Sequence, residues 1–456
     1  MTKIGRWRVD ILLVNSPIFQ NQSEDDDDNV IPSLGLAYIA TNLEAKGKKC
    51  EIYNAIKFDC DTTVDYINSK SPKYVGMNVF SINYELVCKI IESINPNISV
   101  IVGGPGIASL YKFIHEVKTS NIVITVSGDG EKIVPKILGC QNLLKLGIKI
   151  SENRFHIIVD KDSHYFVKDI SESYIDRKFL PEEPLKHNKK GINEAFLVSS
   201  RGCVHACAFC TASRKQNPYP LKIRSRIQES IISEINDIVK KYGSDVNCIR
   251  VLDDLFLRNK RSFHEAIDIF NKFKLKWRAM VHVNALMNVN EEILKNLKQC
   301  GCFELEMGIE SGSDRVLKMI NKHKSKQRII EKLTLLFEAG IQVKAYFIFG
   351  FPDETIEEME ETYKLCILLN NLAKNLGCGF SISAFKFRLY YGTELFNNLF
   401  AGKSDHRLEN KFDANLSDRI GRSQFNFWNG NYSNAEDDDI NNYIEKVLAL
   451  NHKDVT

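Results

Sequence analysis

Long apolar runs are missing from this chain of 456 residues. No stretch approaches the ~18 consecutive apolar residues of a membrane-spanning helix. The apolar segment Ile11-Leu-Leu-Val14 is too short for the core of a secretory signal, so the expectation is a protein with no membrane partner. An excess of one charge is missing too: 61 Lys and Arg stand against 58 Asp and Glu, a formal net charge of +3. Without a basic stripe there is no argument for a nucleic-acid partner. A disulfide framework is the third absence. Most of the 12 cysteines are isolated in apolar surroundings such as Val87-Cys88-Lys89-Ile90-Ile91, and all but three read as small buried residues in a reducing, cytoplasmic compartment.

The remaining three, Cys203, Cys207 and Cys210, fall in the run Ser199-Ser-Arg-Gly-Cys203-Val-His-Ala-Cys207-Ala-Phe-Cys210. A structural zinc site prefers paired Cys-x-x-Cys hooks with a closing second pair, and no second pair occurs. Three thiolates at these spacings, on a glycine-started loop leaving the apolar strand Ala195-Phe-Leu-Val198, can instead face one small cluster of soft metal. A cubane cluster normally takes four cysteines. Three ligands leave one iron open, and that iron would be the reactive one.

The pattern Cys-x-x-x-Cys-x-x-Cys, with the aromatic Phe209 before its last cysteine, resembles the radical S-adenosylmethionine (radical SAM) enzymes. The resemblance implies a 4Fe-4S cluster whose open iron binds S-adenosylmethionine. An electron supplied by a donor such as flavodoxin or ferredoxin then splits the cofactor to a 5′-deoxyadenosyl radical. Strand and helix alternate from residue 194 to about 390, with strands expected near 195–198, 248–252, 278–283, 303–308, 343–349 and 380–385. Six such units make a partial (β/α)6 TIM-type barrel with its chemistry at the carboxyl ends of the strands.

Two turns sit at those ends. Gly308-Ile-Glu310-Ser311-Gly312 resembles the family's ribose-contacting turn, and Phe349-Gly350-Phe351-Pro352 its adenine turn. Phe209, Glu310, Ser311, Gly350 and Phe351 are therefore the implied S-adenosylmethionine contacts. Asp253 and Asp254 follow the second strand, either for function or to cap a helix. Arg278, His282 and Asn284 alternate on the third strand on the side of Met280, from which they would reach cofactor or substrate; a histidine there is otherwise a core residue. Lys222-x-Arg224-Ser225 and Leu317-Lys-x-Ile-x-Lys322 are further points of resemblance.

Residues 1–140 also alternate strand and helix, the pattern of a doubly wound, Rossmann-like parallel sheet. Ile31-Pro-Ser-Leu-Gly35, Val102-Gly103-Gly104-Pro-Gly and Ser127-Gly128-Asp-Gly130-Glu131 together resemble the cobalamin-binding domain that precedes many radical SAM barrels. The resemblance implies cobalamin, with Gly35, Ser81, Asn83, Gly103, Gly104, Gly128, Gly130 and Glu131 near it. No Asp-x-His-x-x-Gly occurs, so no protein imidazole would lie below the cobalt. Asn54 stands at the end of the second strand, where the family often carries an acid. The acidic run Glu24-Asp-Asp-Asp-Asp28 reads as a solvated loop.

Residues 141–193 read as a linker, with a hairpin at Phe155–Val159 and Tyr165–Val167. Residues 391–456 read as a C-terminal region closing the barrel mouth, where Phe425, Phe427, Trp428 and Tyr432 form a loose aromatic cluster. The resemblance as a whole implies cobalamin-dependent methylation of an unactivated carbon on a small-molecule or peptide natural product. One alternative is a radical cyclisation, rearrangement or oxidation with cobalamin as electron carrier or absent; another is a non-catalytic, zinc-stabilised binding protein.

Overall fold

The computed structural model describes residues 9–18, 31–187, 191–213, 223–322, 325–400 and 430–452. The acidic run at 24–28, Lys222, and the aromatics Phe425, Phe427 and Trp428 lie outside the described residues. Two compact units are present, one built mainly from Met1–Glu183 and the other mainly from the chain beyond it.

Short Val- and Ile-rich runs, buried on both faces, are what a parallel sheet covered by helices requires. In the first unit they form β1 (Ile11–Asn15), β2 (Cys50–Asn54), β3 (Tyr74–Asn78), β4 (Ser99–Gly103) and β5 (Val123–Gly128). These alternate with α1 (Leu34–Ala45), α2 (Cys60–Lys70), α3 (Tyr84–Ser93), α4 (Ile107–His115) and α5 (Val134–Leu138). The sheet runs β2-β1-β3-β4-β5 and is then extended by β7 (Arg154–Val159) and the antiparallel edge strand β6 (Ile148–Ser151). Strand order reverses at β1, and a sheet of this order takes its ligand at the carboxyl ends there.

The stretch read as a linker therefore supplies two strands to this sheet. Its hairpin pairs β6 with β7, not 155–159 with 165–167. Residues 165–167 instead form a turn in which the Val167 amide donates to the Asp129 carboxylate at 3.1 Å. Beyond it the chain stays on the first unit: the Asp176 amide donates to Thr41 Oγ1 at 2.9 Å.

In the second unit β9 (Ile192–Leu197), β12 (Cys248–Val251), β13 (Lys276–Met280), β14 (Cys302–Glu310), β15 (Gln342–Phe349) and β16 (Phe380–Lys386) pair in chain order, all parallel. β8 (Leu185–His187) adds an antiparallel edge, and the small pair β10 (Ser200–Arg201) and β11 (Arg224–Ser225) stands apart. This is the partial barrel. Alternation divides its strands. Leu197, Ile249, Trp277, Leu305, Val343 and Phe347 belong to the apolar layer shared with the helices.

The intervening positions carry charge. Arg278, with no exposed surface, bonds Glu194 at 2.7 Å and Glu304 at 2.8 Å. Arg250 bonds Glu306 at 2.9 Å, and the Tyr346 hydroxyl donates to the same glutamate at 2.7 Å. Arg278 is thus consumed inside the sheet instead of reaching for a ligand. Ions this deep are tolerable only when paired and hydrogen-bonded.

Of the C-terminal region, the helix Asp437–Leu448 packs on the apolar outer layer, and the segment before it reaches the turn after β15, where the Asp353 amide donates to the Tyr432 carbonyl at 2.8 Å and the Asn434 amide to the Glu354 carbonyl at 2.8 Å. Ile440, Tyr443 and Val447 make one apolar stripe along this helix, and Tyr443 stacks on Phe349 with ring centroids 6.2 Å apart. Among the described residues no helix is long and apolar enough to cross a membrane.

Candidate cofactor sites

Leaving β9, the chain turns at Ser199 and Ser200 and is pinned by the acidic turn after β12. Buried Asp253 accepts from the Ser199 amide at 2.7 Å and from both serine hydroxyls at 2.6 Å. Burial raises the Asp253 pKa against the opposition of those donors. Asp254 accepts from the Gly202 amide at 3.2 Å. The two aspartates thus brace the start of the cysteine loop and cap no helix. Gly202 makes the bend with φ +97°, which only glycine adopts freely.

The middle of the loop hangs on the turn after α9 (Asp314–Met319). The Ala208 amide donates to the Ile320 carbonyl at 2.9 Å, and Asn321 Nδ2 donates to the Ala206 carbonyl at 2.8 Å. Next in sequence, Lys322 bonds Glu310 at 3.0 Å and acts electrostatically on all three loop cysteines. Burial opposes the Lys322 charge, but Glu310 and the nearby cysteines outweigh it and hold its pKa above the usual value. Burial pushes the Cys203 and Cys207 thiols up and carries Cys210 to about 12. The His205 amide points at Cys203 Sγ at 3.5 Å. Among the described residues no three His, Cys, Asp or Glu side chains are gathered closely enough to hold a single metal ion.

Glu310 ends β14 with φ +73°, an uncommon conformation for a residue with a side chain and one that concentrates at functional sites. Gly308 makes room for it, since a Cβ there would stand 2.1 Å from the Glu310 carboxylate and 2.9 Å from Lys322 Nζ. Ser311 is fully buried; its hydroxyl meets Thr362 at 3.2 Å and accepts from the Ser313 amide at 3.1 Å. It fixes the turn to α11 (Ile356–Asn375). After β15, Gly350 bends at φ +87°, and the Gly350 and Phe351 amides donate to Glu354 at 2.7 and 2.9 Å. Phe351 is buried and meets Phe209 edge-on, ring centroids 5.6 Å apart. The cysteine loop and the Gly350 turn are thereby brought together, and Lys322 brings in the Glu310 turn.

In the first unit the expected residues gather at the carboxyl ends of the strands. The Val79 amide donates to the Gly103 carbonyl at 2.7 Å, which ties β3 to β4. Gly104, at φ +107°, and Gly128, at φ +104°, are demanded by packing: a Cβ would lie 2.9 Å from the Val79 backbone in one case and 2.1 Å from the Val159 carbonyl in the other. Gly130 presses on Ile39, whereas Gly35 opens onto free space. Glu131 is buried and Ser81 half-buried. Asn83 is buried, with its carbonyl oxygen accepting from the Phe80 amide at 2.8 Å.

A row of amides crosses the same edge. Asn78 donates to Asn15 at 2.8 Å, Asn15 to Asn54 at 2.9 Å, and Asn54 to Glu182 at 3.0 Å. The acid missing at Asn54 thus arrives from the stretch read as a linker. Glu182, Phe179, Ser33 and Asn15 line a crevice at this edge.

The residues of each unit fit an absent group. Three cysteines, a backbone N–H at one sulfur and a buried ammonium beside them suit an anionic iron-sulfur cluster. At the first sheet's carboxyl edge, buried Ser16 Oγ, Ser127 Oγ and Asn83 Nδ2 have no hydrogen-bond partner among the described residues. Buried polar atoms without partners are rare enough to need a reason, and a ligand rich in amides and hydroxyls supplies one.

Residues 197–366 match the model of the radical SAM superfamily, and residues 27–138 that of the B12 binding domain. An uncharacterized methyltransferase of Pyrococcus horikoshii is 30% identical over 352 residues, covering 73% of this chain and 72% of that protein. An anaerobic magnesium-protoporphyrin IX monomethyl ester cyclase of Rubrivivax gelatinosus is 24% identical, covering 73% of this chain and 61% of that one. The cobalamin-dependent S-adenosylmethionine radical enzyme OxsB, solved with aqua-cobalamin and S-adenosylmethionine bound, shares the fold with a TM-score of 0.62 and 16% identity, over 91% of this chain and 64% of that one. This chain therefore spans less than two thirds of the cyclase and of OxsB. It belongs to the radical SAM superfamily, among the members that carry a B12-binding domain ahead of the barrel, and its cofactors are a 4Fe-4S cluster, S-adenosylmethionine and cobalamin.

Proposed function

We propose that this enzyme methylates an unactivated carbon of a small-molecule or peptide substrate. The observation that carries the reading is the convergence of the cysteine loop, the Glu310–Lys322 pair and the Gly350 turn at the carboxyl ends of one parallel sheet, in a chain that also holds a B12-binding domain. When bound, the cluster with S-adenosylmethionine supplies a hydrogen-abstracting radical and cobalamin a transferable methyl group.

The protein's share is holding, charge and exclusion of water. Cys203, Cys207 and Cys210 hold the cluster. Lys322 offsets anionic charge beside it. The Glu310 carboxylate, held at an unusual φ and within reach of Lys322, is placed to accept from the two hydroxyls of a ribose. Ser311 acts through the turn, because its hydroxyl is already engaged with Thr362 and Ser313. Phe209 and Phe351 make a dry wall. The electron comes from a small reduced protein such as flavodoxin or ferredoxin. The free cysteines suit a reducing cytoplasm.

The test is product analysis with iron and cobalt counts on anaerobically reconstituted protein and its Cys203/Cys207/Cys210→Ala variant. About four irons lost in the variant, cobalt kept in both, and S-adenosylhomocysteine formed together with 5′-deoxyadenosine are the expected results. 5′-Deoxyadenosine without S-adenosylhomocysteine would overturn methyl transfer. It would favour a second reading, a radical ring closure, which the similarity to the Rubrivivax cyclase supports.

A further inference from the structure

His282 reaches the first half of the cysteine loop through an aromatic face. It follows β13, is buried, and its Nδ1 accepts from the Asn284 amide at 3.1 Å. That bond fixes both the tautomer and the plane of the ring. The fixed ring stacks on His205 with centroids 3.7 Å apart and 18° between planes. His205 lies midway between Cys203 and Cys207, and its own amide is the N–H directed at Cys203 Sγ at 3.5 Å.

Backbone anchors flank this peptide, the nearest being the His205 carbonyl, which accepts from the Ser213 hydroxyl at 3.5 Å. Gly202 is held by Asp254, Ala206 by Asn321 and Ala208 by Ile320. The peptide that carries the N–H···S contact is joined directly to the Cα that bears the His205 ring, and that ring stacks on His282.

Hydrogen bonds to cluster sulfurs are among the levers that set an iron-sulfur potential. We propose that His282 is a positioning residue for the cluster. By stacking on His205 it holds the amide of residue 205 toward Cys203 and so raises the potential at which the cluster accepts its electron. The inference rests on the reading of the three cysteines as cluster ligands. It needs no contact between His282 and iron and no change in its protonation.

The experiment is a potentiometric titration of the reconstituted cluster, followed by electron paramagnetic resonance, in wild type, His282→Ala, His282→Phe, His205→Ala and the double alanine variant, with iron counted in each. The alanine variants are expected to keep about four irons and shift the midpoint to more negative values. His282→Phe, which keeps a flat ring, should stay at the wild-type midpoint, and the double variant should shift no further than either single one, the sign of one coupled pair. Unchanged midpoints in iron-replete alanine variants would overturn the proposal. So would a His282→Phe shift as large as that of alanine, since the ring would then not act by stacking. Should His282→Ala fail to fold, the comparison of His205→Ala with wild type decides alone, because His205 is only half-buried. Absence of iron from the wild type itself would sink the cluster reading, a result distinct from either.

Discussion

At the carboxyl ends of β1, β2 and β3 the side chains are amides that bond to one another: Asn78, Asn15 and Asn54 form a row that ends on Glu182. At the corresponding ends of the second sheet they are ionisable and braced: Asp253 under two serines, Glu310 against Lys322, Glu354 under two backbone amides. Amides can exchange partners at a small net cost, on the order of 1 kcal/mol each, so the first edge can re-pair around a large, mostly uncharged ligand. Buried ions lose far more when a partner leaves, so the second edge is set in place before its ligands arrive. One edge adapts; the other is preorganised.

The comparison breaks most sharply in the charged interior of the barrel. Arg278→Met leaves Glu194 and Glu304 buried and short of a partner, a loss of about 3–5 kcal/mol. Hydrogen exchange should show protection falling across β9 to β15 while β1 to β5 keep theirs; equal loss in both units would contradict the contrast. A smaller, opposite lesion is Gly128→Ala, which forces a side chain into φ +104° and toward the Val159 carbonyl at about 1–3 kcal/mol of strain. Cobalt retained after gel filtration should drop and iron should not.

The smallest effect sharpens the comparison. Burial lifts Glu354 from 4.5 to about 7 against the amides of Phe351 and Gly350. Between these two values the folded protein holds a proton that the unfolded chain has released. This residue's contribution to stability is therefore fully present below the lower value and lost as pH rises through the upper one. Glu354→Gln should flatten that slope in thermal unfolding scans between pH 4.5 and 7, most visibly midway between the two values; an unchanged slope would place the titration elsewhere.

Much of this was legible in the sequence because burial on both faces leaves a strong apolar signature. The first five strands and the six parallel barrel strands all fall where the alternation of apolar runs and helices put them. The edge hairpin was misplaced because Ile148 to Ser151 are exposed at every position, so nothing in their pattern marks a buried face. The turns were found by their glycines, but what those glycines do was not: Gly104 and Gly128 answer to neighbouring backbone, and only Gly35 opens onto space. Long-range polar partners left no local trace. Glu182 lies 128 residues from Asn54 and Glu194 lies 84 from Arg278, so an arginine that looked aimed at a ligand was already spent. Lys322 was visible as the last residue of Leu317-Lys-x-Ile-x-Lys322, a point of family resemblance, yet its place beside the cysteines came only with the fold. His205 needed the same information, because stacking on His282 joins residues from two separate turns.

Arg278, Glu194, Glu304, Arg250 and Glu306 also bear on which end of the barrel a ligand can use. With the half-buried Tyr346 they line the inner positions of the strands with charge that is already paired. A molecule entering among them would have to break those ion pairs, so substrate and product are expected to pass by way of the turns at the carboxyl ends.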